Sequence, residues 1–283
     1  MKRLFFFLFF LMPFCSWSEY AERVFIDSSK NKVFLPSVPR RVVVTSPEVQ
    51  EILFALGAGE SIKANIVQCD YPAQARSLAK VGDFRNPDLE KIIKAQPDLI
   101  ILTDLTQASL VSALNKLNYK FLVAFIKDLS ELKYYFRLFG RIFRKEKEAG
   151  EWIRQMEGLK LNKTGEKRTI LPLLWDNPMM VAGDRTIVNE VIEQAGGKNL
   201  LKNAGQGYFT LDEEFIIKNK PDYILVLDRD LDIRDRLKVV FRKHKNVRII
   251  RNIDPDLILR AGPRVLDGIK ELNSILSRGK KKQ

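Results

Sequence analysis

Hydrophobic and polar positions follow one pattern that occurs twice along the chain. Residues 88–102 and residues 212–226 agree at eight of fifteen positions, and in each copy a stretch of mixed polarity precedes Pro-Asp and an apolar run. Proline disfavours helical backbone at the residue before it, and an unbroken apolar run is typical of a parallel strand buried on both faces. Each copy therefore predicts a short helix followed by a buried strand, and the repeat predicts two similar lobes.

The stretches around the repeats extend this pattern. Residues 41–45 are mostly β-branched and predict a strand, and Ser46, Pro47 and Glu48 then have the order of helix cap, first-turn proline and first-turn acid. Residues 169–175 begin the second lobe with another apolar strand pattern. Because strand and helix patterns alternate, we predict the α/β fold class, with two similar lobes whose sheets are mostly parallel.

Residues 127–162 carry a different pattern, in which apolar residues recur at helical spacing and no proline interrupts. A helix of about 30 residues is roughly 45 Å long at 1.5 Å per residue. We therefore predict one long rigid helix that joins an N-terminal lobe at residues 19–126 to a C-terminal lobe at residues 163–283. The alternative is two ordinary helices separated at Gly150.

The N-terminus has the pattern of an export signal. Lys2 and Arg3 precede an apolar run over residues 4–12, and small residues follow up to Ser18. This order predicts a signal peptide at residues 1–18, cleaved after Ser18, and a location in the periplasm. The apolar run is too short to span a bilayer as a helix.

Cys15 raises a second possibility, in which a lipid on this cysteine anchors the protein. Phe14 argues against it, because lipoprotein processing requires a small residue at that position. If Cys15 is removed with the signal peptide, Cys69 is the single remaining thiol, and no internal disulfide can form.

Composition and charge narrow the classes of function. Hydrophobic residues make up 46% of the chain and charged residues 29%, which is typical of a soluble globular protein. The net charge of +13 is spread along the chain, and no nucleic-acid-binding motif is present, so we expect no nucleic acid partner. We also expect a monomer.

Catalytic motifs are absent from the sequence. There is no serine nucleophile elbow, no phosphate-binding loop with a lysine, no His-Glu-x-x-His and no Cys-x-x-Cys. The single histidine, His244, lies in a basic segment and is expected at the surface. We therefore predict that the protein is not an enzyme and has neither a cofactor nor a metal site built only from protein ligands.

The loops after the predicted strands carry the candidate binding residues. In α/β lobes, ligands bind beyond the carboxyl ends of the strands. Aromatic side chains there would cover a large, flat and partly apolar ligand, and arginines would pair with its oxygens. For each aromatic residue taken singly, a core position is the alternative. The candidate ligand-binding residues are Cys69, Asp70, Tyr71, Asp83, Phe84, Trp175, Met180, Tyr208, Phe209, Arg260 and Arg264.

Two glutamates, Glu90 and Glu214, occupy the same position in the two repeats, in the first turn of each predicted helix. A favourable interaction with the helix dipole explains an acid there. Two equivalent acids, one on each lobe, would also form a paired docking surface for a partner with two-fold symmetry. The spacing alone leaves both explanations open.

Several short motifs resemble one protein family. They are Arg41-Val-Val-Val-Thr-Ser-Pro-Glu48, Cys69-Asp-Tyr-Pro72, Val81-Gly-Asp-Phe84 and Arg260-Ala-Gly-Pro-Arg264. Together they resemble the periplasmic substrate-binding proteins of cobalamin and iron-siderophore ABC importers, the helical-backbone metal receptors. The resemblance extends over essentially the whole chain after the signal peptide.

The resemblance implies a fold and a function. It implies two Rossmann-like lobes on one rigid helix, a metal chelate bound in the cleft between them, and delivery to a permease dimer in the inner membrane. Glu90 and Glu214 match the two glutamates that engage permease arginines in this family. Phe84, Tyr208 and Arg260 match positions that contact ligand in cobalamin-binding members.

The ligand itself stays open at this point. Gln68, Thr103 and Met180 stand where a cobalamin-binding member is expected to have aromatic contacts, and they leave the pocket less aromatic. Cobalamin is still the first expectation, with a ferric siderophore or haem as the close alternatives. Any metal should arrive inside its chelate. Two more distant hypotheses are an enzyme that acts on a chelate through Asp70 or Asp83, and a lipid-tethered structural protein that retains Cys15.

Overall fold

The computed structural model describes residues 23–28, 30–161, 167–229 and 246–278. The predicted signal peptide, Cys15 and His244 lie outside these residues. Within the described ranges, no helix is long and apolar enough to cross a membrane.

The N-terminal lobe is built on a five-stranded parallel sheet, in the order β5-β4-β3-β6-β7, preceded by a small antiparallel hairpin. Its elements are β1 (Val24–Ile26), β2 (Lys32–Phe34), β3 (Val42–Val44), α1 (Pro47–Ala55), β4 (Ile62–Asn65), β5 (Ala79–Lys80), α2 (Leu89–Lys94), β6 (Leu99–Thr103), α3 (Ala108–Lys116) and β7 (Phe121–Ala124). The predicted cap of α1 is confirmed, since the Ser46 hydroxyl accepts the N–H of Val49.

The segment between the lobes is a helical hairpin, formed by α4 (Leu129–Phe143) and α5 (Glu146–Glu157). Lys133 Nζ lies 3.3 Å from Glu157 Oε1, and the rings of Phe136 and Trp152 stack with centroids 5.7 Å apart. These contacts show that α5 runs back along α4. The prediction of one long helix over residues 127–162 is therefore wrong.

The chain reverses at Arg144, which adopts the left-handed conformation with φ of 56°. Gly150, the break point in the alternative prediction, lies inside α5. Gly140 allows the two helices to approach, because a Cβ there would lie only 2.8 Å from the Cβ of Ala149. Helical periodicity continues through the turn because both helices bury an apolar face, so periodicity could not reveal the reversal.

The C-terminal lobe has a mixed sheet in the order β11-β9-β8-β12-β13, with the short β10 also paired to β8. Its elements are β8 (Thr169–Asp176), β9 (Met179–Ala182), α6 (Ile187–Gln194), β10 (Lys198–Asn199), β11 (Tyr208–Thr210), α7 (Glu213–Asn219), β12 (Tyr223–Val226), β13 (Arg248–Ile250), α8 (Asp256–Leu259) and α9 (Val265–Arg278). The strands β8 and β9 are antiparallel, as are β9 and β11.

Both repeats fold into the predicted helix and strand, α2–β6 and α7–β12. The residue before the proline is left-handed in each copy, with φ of 49° at Gln96 and 46° at Lys220. The aspartate after the proline binds the start of the neighbouring strand. Asp98 accepts the N–H of Arg41 at 3.0 Å, and Asp222 accepts the N–H of Thr169 at 2.7 Å.

One hydrophobic core extends through both lobes. It joins Val42 and Leu99 of the first lobe to Ile170 and Val188 of the second through the buried face of α4, which includes Phe136. Each sheet also has a separate cluster on its other face, as expected for sheets covered on both sides. The shared core holds the two lobes together as one packed unit.

Candidate ligand-binding site between the lobes

Two arginines of the C-terminal lobe reach across to the N-terminal lobe. Arg264, just before α9, donates to both carboxylate oxygens of Glu51 on α1, at 2.6 and 2.9 Å. Arg260, at the end of α8, donates to Asp70 in the loop after β4 at 2.7 Å, and it also lies 3.2 Å from Asp256. This arginine cluster therefore ties together the loops at the junction of the two lobes.

The cluster contains a buried ion pair. Glu51 is only 2% exposed. Burial raises the pKa of Glu51, and the hydrogen bonds and charge of Arg264 oppose that rise. Burial also acts to raise the pKa of Asp70, but its hydrogen bond with Arg260 and the charge of that guanidinium lower it overall.

The two arginines have protein partners that the sequence did not predict. From the sequence, Arg260 and Arg264 were to pair with oxygens of a ligand, but in this structure their charges are paired with protein carboxylates. Glu51, which is central to the cluster, was not a predicted site residue. The sequence offers one signal for Glu51, which is an acidic residue next to the apolar residues Ile52 and Leu53 of a predicted helix, and the structure shows that this part of the helix is buried.

Tyr71 is positioned by the same cluster and by a buried amide network. The guanidinium of Arg264 lies 4.0 Å from the centre of its ring, within the range of a cation–π interaction. Its carbonyl accepts a hydrogen bond from Gln50, whose own side-chain oxygen accepts one from Asn65. The half-exposed ring is thus held at the edge of the cleft.

Asp83 and Phe84 form a second group, in the loop after β5. The Asp83 carboxylate accepts the N–H groups of Arg85 and Asn86 at 2.8 and 3.0 Å, so it holds its own turn. The N–H of Phe84 donates to the side chain of Gln68 at 3.2 Å. Gln68 therefore helps to position Phe84, which is half-buried against the lobe core.

The apolar face is defined by Trp175, Met180 and Tyr208 at the antiparallel edge of the C-terminal sheet. Trp175 is paired with Met180, and Met180 with Thr210, two residues beyond Tyr208. Residues directly opposite each other, or two apart on a strand, share one face of a sheet. These three large side chains are 51%, 38% and 49% exposed, respectively, so the face is open to a ligand.

Cys69 lies in the core of the N-terminal lobe, and Phe209 is partly buried against the core of the C-terminal lobe. Phe209 alternates with Tyr208 on β11 and packs against Gly183 and Gly205, where an added Cβ would lie 2.7 Å from its ring. Cys69 is fully buried, and burial raises the pKa of its thiol to about 12. The Cys69 side chain therefore does not reach a surface that a ligand would contact. Tyr208 was expected in a loop after a predicted strand, but it lies in β11.

The structure thus separates the predicted site residues into groups. Asp70, Tyr71, Arg260 and Arg264 meet in the arginine cluster, whereas the apolar face and Phe84 form separate surfaces. Beside the arginine cluster is a pocket of about 500 Å³ whose walls include Phe54, Tyr71, Trp152 and Arg264.

The carboxylates near the cleft have structural partners. Asp70 accepts a hydrogen bond from Arg260, and Asp83 accepts the N–H of Arg85 in its own turn. Within the described part of the chain, no group of three or more histidine, cysteine or acidic side chains could hold a metal ion.

Comparison with known proteins points to one family. A family profile described as periplasmic binding protein matches residues 42–252. The chain is 27% identical to an uncharacterized ABC transporter substrate-binding lipoprotein, YvrC of Bacillus subtilis, over 87% of this chain and 82% of that protein. It is 22% identical to a vitamin B12-binding protein of Pectobacterium carotovorum, over 85% of this chain and 90% of that protein.

Solved structures show the same fold. The periplasmic vitamin B12 binding protein BtuF of Vibrio cholerae has a TM-score of 0.73 and 20% identity, covering 87% of this chain and all of BtuF (100%). The heme binding protein HutB of Vibrio cholerae has a TM-score of 0.72 and 22% identity, covering 83% of this chain and 98% of HutB. These relatives are binding proteins by name. The two-lobed α/β prediction is confirmed, and the chain belongs to the periplasmic binding protein family.

Proposed function

We propose that this protein is the substrate-binding protein of an ABC importer and captures a metal chelate in the cleft between its lobes. The observation that carries the proposal is the apolar face formed by Trp175, Met180 and Tyr208. Three large side chains left open at the end of a sheet suit a broad, partly apolar ligand. The shared core through α4 fixes this face relative to the N-terminal lobe.

Cobalamin is the chelate that this site favours. Its corrin ring carries amide side chains, which need hydrogen-bond partners more than positive charges. Arg260 and Arg264 are engaged with Glu51, Asp70 and Asp256, so they are not free to bind the carboxylates of a haem or of an acidic siderophore. Similarity to vitamin B12-binding proteins supports the same choice. A ferric siderophore or haem is the alternative ligand.

The docking proposal concerns Glu90 and Glu214. Both side chains are exposed in the first turn of their helices, α2 and α7, and neither forms an ion pair within the described ranges. Two free carboxylates at equivalent places on the two lobes suit basic pockets on a two-fold symmetric permease.

We propose that the protein works as a monomer in the periplasm, released by cleavage after Ser18. A lipid tether at Cys15 is the alternative, consistent with the lipoprotein relative.

The test is a titration of residues 19–283 with cobalamin, haem and ferric siderophores, in which tryptophan fluorescence reports binding. Residues 19–283 contain two tryptophans, Trp152 and Trp175, and Trp175 belongs to the apolar face. We expect saturable binding of cobalamin with a signal that is lost in Trp175→Phe and kept in Trp152→Phe.

A second variant tests the contribution of the apolar face to cobalamin affinity by a method other than fluorescence. Tyr208→Ala removes an aromatic contact from the apolar face and should lower the affinity for cobalamin at least tenfold. Calorimetry measures this affinity without depending on fluorescence. If calorimetry detects no binding of any of these chelates, the proposal of a chelate ligand is wrong, and only the assignment of the fold remains.

A further inference from the structure

A pocket of about 500 Å³ opens on the flank of the molecule, where both lobes and the helical hairpin meet. Its walls come from the end of α1 in the N-terminal lobe, from α5 in the hairpin and from α9 in the C-terminal lobe. Small-molecule sites have volumes of about 300–1,000 Å³ and are lined mainly by apolar and aromatic side chains, so this pocket has the dimensions of such a site. We call it the flank pocket, and its main walls are formed by Phe54, Tyr71, Pro72, Trp152, Pro263 and Leu266.

The flank pocket is separate from the chelate cleft. Neither the three residues of the apolar face nor Arg260 lines it. The helix α1 begins soon after β3, at the cleft edge of the sheet, whereas Phe54 lies in its last turn, roughly 10 Å along the helix. Lys270, which also lines the pocket, lies in the second turn of α9. The pocket therefore touches the arginine cluster through Glu51 and Arg264 and extends away from the edge where a chelate would bind.

Two aromatic rings of the flank pocket are held in place by other parts of the chain. The ring of Trp152 stacks on Phe136 with centroids 5.7 Å apart, and its Nε1 donates to the carbonyl of Ala55 at 3.2 Å. The ring of Tyr71 lies 4.0 Å from the guanidinium of Arg264. Both rings line the pocket and are not fully buried. Rings that are already fixed can stack on a flat ligand without a further loss of side-chain entropy.

The charged side chains of the flank pocket form two neutral pairs. Arg264 donates to both carboxylate oxygens of Glu51, at 2.6 and 2.9 Å, and Lys270 Nζ lies 3.1 Å from Asp267 Oδ1. A charged ligand would lose water in this pocket without meeting an unpaired opposite charge, which is unfavourable. Gln155, at an exposed position on the wall, adds an amide that can donate to or accept from an uncharged ligand. The walls therefore favour a ligand without charge.

We propose that the flank pocket is a second binding site, which takes an uncharged, flat aromatic molecule against the rings of Phe54, Trp152 and Tyr71. The aromatic walls supply stacking, and the paired charges disfavour an anion or a cation. The site does not depend on the proposed function, because it shares no residue with the apolar face. An occupant would contact both lobes and the hairpin at once, so it should also stabilise the folded protein.

The first experiment titrates residues 19–283 with N-phenyl-1-naphthylamine, an uncharged aromatic probe whose fluorescence rises in apolar surroundings. The matched anionic probe is anilinonaphthalene sulfonate, which has the same ring system with an added sulfonate. We expect one saturable site for the uncharged probe, with an affinity at least tenfold above that for the sulfonate. Equal or tighter binding of the sulfonate would contradict the proposed ligand class.

The second experiment locates the bound probe by cysteine protection. Cys69 is buried and is the only cysteine of residues 19–283, so a cysteine introduced at an exposed position reacts selectively with a maleimide. Gln155 lines the flank pocket, and Arg154, its exposed neighbour on α5, does not. A saturating amount of the uncharged probe should slow the alkylation of the Gln155→Cys variant at least tenfold and leave the matched control, Arg154→Cys, unchanged.

A pair of substitutions separates the flank pocket from the apolar face. Trp152→Leu removes an aromatic wall and should lower the affinity for the uncharged probe at least tenfold, whereas Tyr208→Leu should leave this affinity unchanged. The cysteine protection experiment decides the question if Trp152→Leu does not fold. The proposal is overturned if the probe does not bind saturably, if it protects both introduced cysteines equally or neither, or if Tyr208→Leu weakens binding as much as Trp152→Leu.

Discussion

The two lobes use the same helix–strand unit but complete their sheets differently. In the N-terminal lobe every neighbouring pair of strands in the main sheet is parallel, whereas the C-terminal lobe adds the antiparallel strand β9 and then β11. The repeated unit provides the framework and the two exposed glutamates. The edge that differs carries the apolar face. Under the proposed function, the shared part of the lobes would serve stability and docking, and the divergent part would serve recognition.

The largest expected effect tests whether the two lobes are equivalent in docking. We expect Glu90→Ala with Glu214→Ala to abolish uptake through the cognate permease while chelate affinity stays unchanged. Each single variant should cause a similar partial loss, because the two side chains hold equivalent positions. Transport into proteoliposomes measures this effect, and Glu60→Ala, another exposed acid, is the control. Normal uptake by the double variant would contradict the docking role.

The second prediction concerns the ion pair that joins the lobes. Arg264→Ala leaves the charge of Glu51 buried with only a weak contact to Arg260 at 3.7 Å, so we expect a loss of about 3 kcal/mol in the free energy of unfolding. Urea denaturation at pH 7 measures it, with the exposed Arg85→Ala as the control. A loss no larger than that of the control would show that the pair contributes little.

The same variant should depend on pH. Without Arg264, nothing strong opposes the rise in the pKa of Glu51 caused by burial. A raised folded-state pKa gives stability that is present at low pH and lost as pH rises through it. The deficit of Arg264→Ala relative to the unmodified protein should therefore shrink as pH falls from 7 towards about 5. A deficit that grows over this range would contradict the assignment.

The third prediction compares the two Pro-Asp aspartates. Each binds the first residues of the neighbouring strand, but the Asp98 bonds are exposed, whereas Asp222 is partly buried and also binds the Thr169 hydroxyl at 2.9 Å. We expect Asp98→Ala to cost about 1 kcal/mol of stability and Asp222→Ala about 2 kcal/mol. Equal losses in thermal unfolding would show that burial does not separate the two sites.

The smallest expected effect concerns the two helix caps. The Asp88 carboxylate accepts the N–H of Lys91 at the start of α2, whereas the side chain of Asp212 makes no capping hydrogen bond at the start of α7. Asp88→Ala should therefore cost about 1 kcal/mol, and Asp212→Ala only a few tenths. Chemical denaturation of both variants, each compared with its Asn counterpart, tests the difference.

Local sequence was a good guide where neighbouring residues decide the outcome. The helix–strand repeats and the cap at Ser46 depend on contacts within a few residues or on an apolar run, and each formed as predicted. The failures involve contacts between distant residues. Cys69 and Phe209 follow the same loop patterns as Tyr71 and Tyr208, but only the folded sheet decides which side chain of a pair points inward.

The sequence by itself determined the fold class, the two lobes and the equivalence of Glu90 and Glu214, because periodicity and repetition are properties of the chain. Only the tertiary structure decided that the linker reverses at Arg144, since a helix and a hairpin of helices share the same period. It also decided that Arg260 and Arg264 serve protein acids, because pairing depends on which charges the fold brings within about 4 Å. The reversal of the linker and the pairing of the two arginines both depend on contacts between residues that are distant in the sequence.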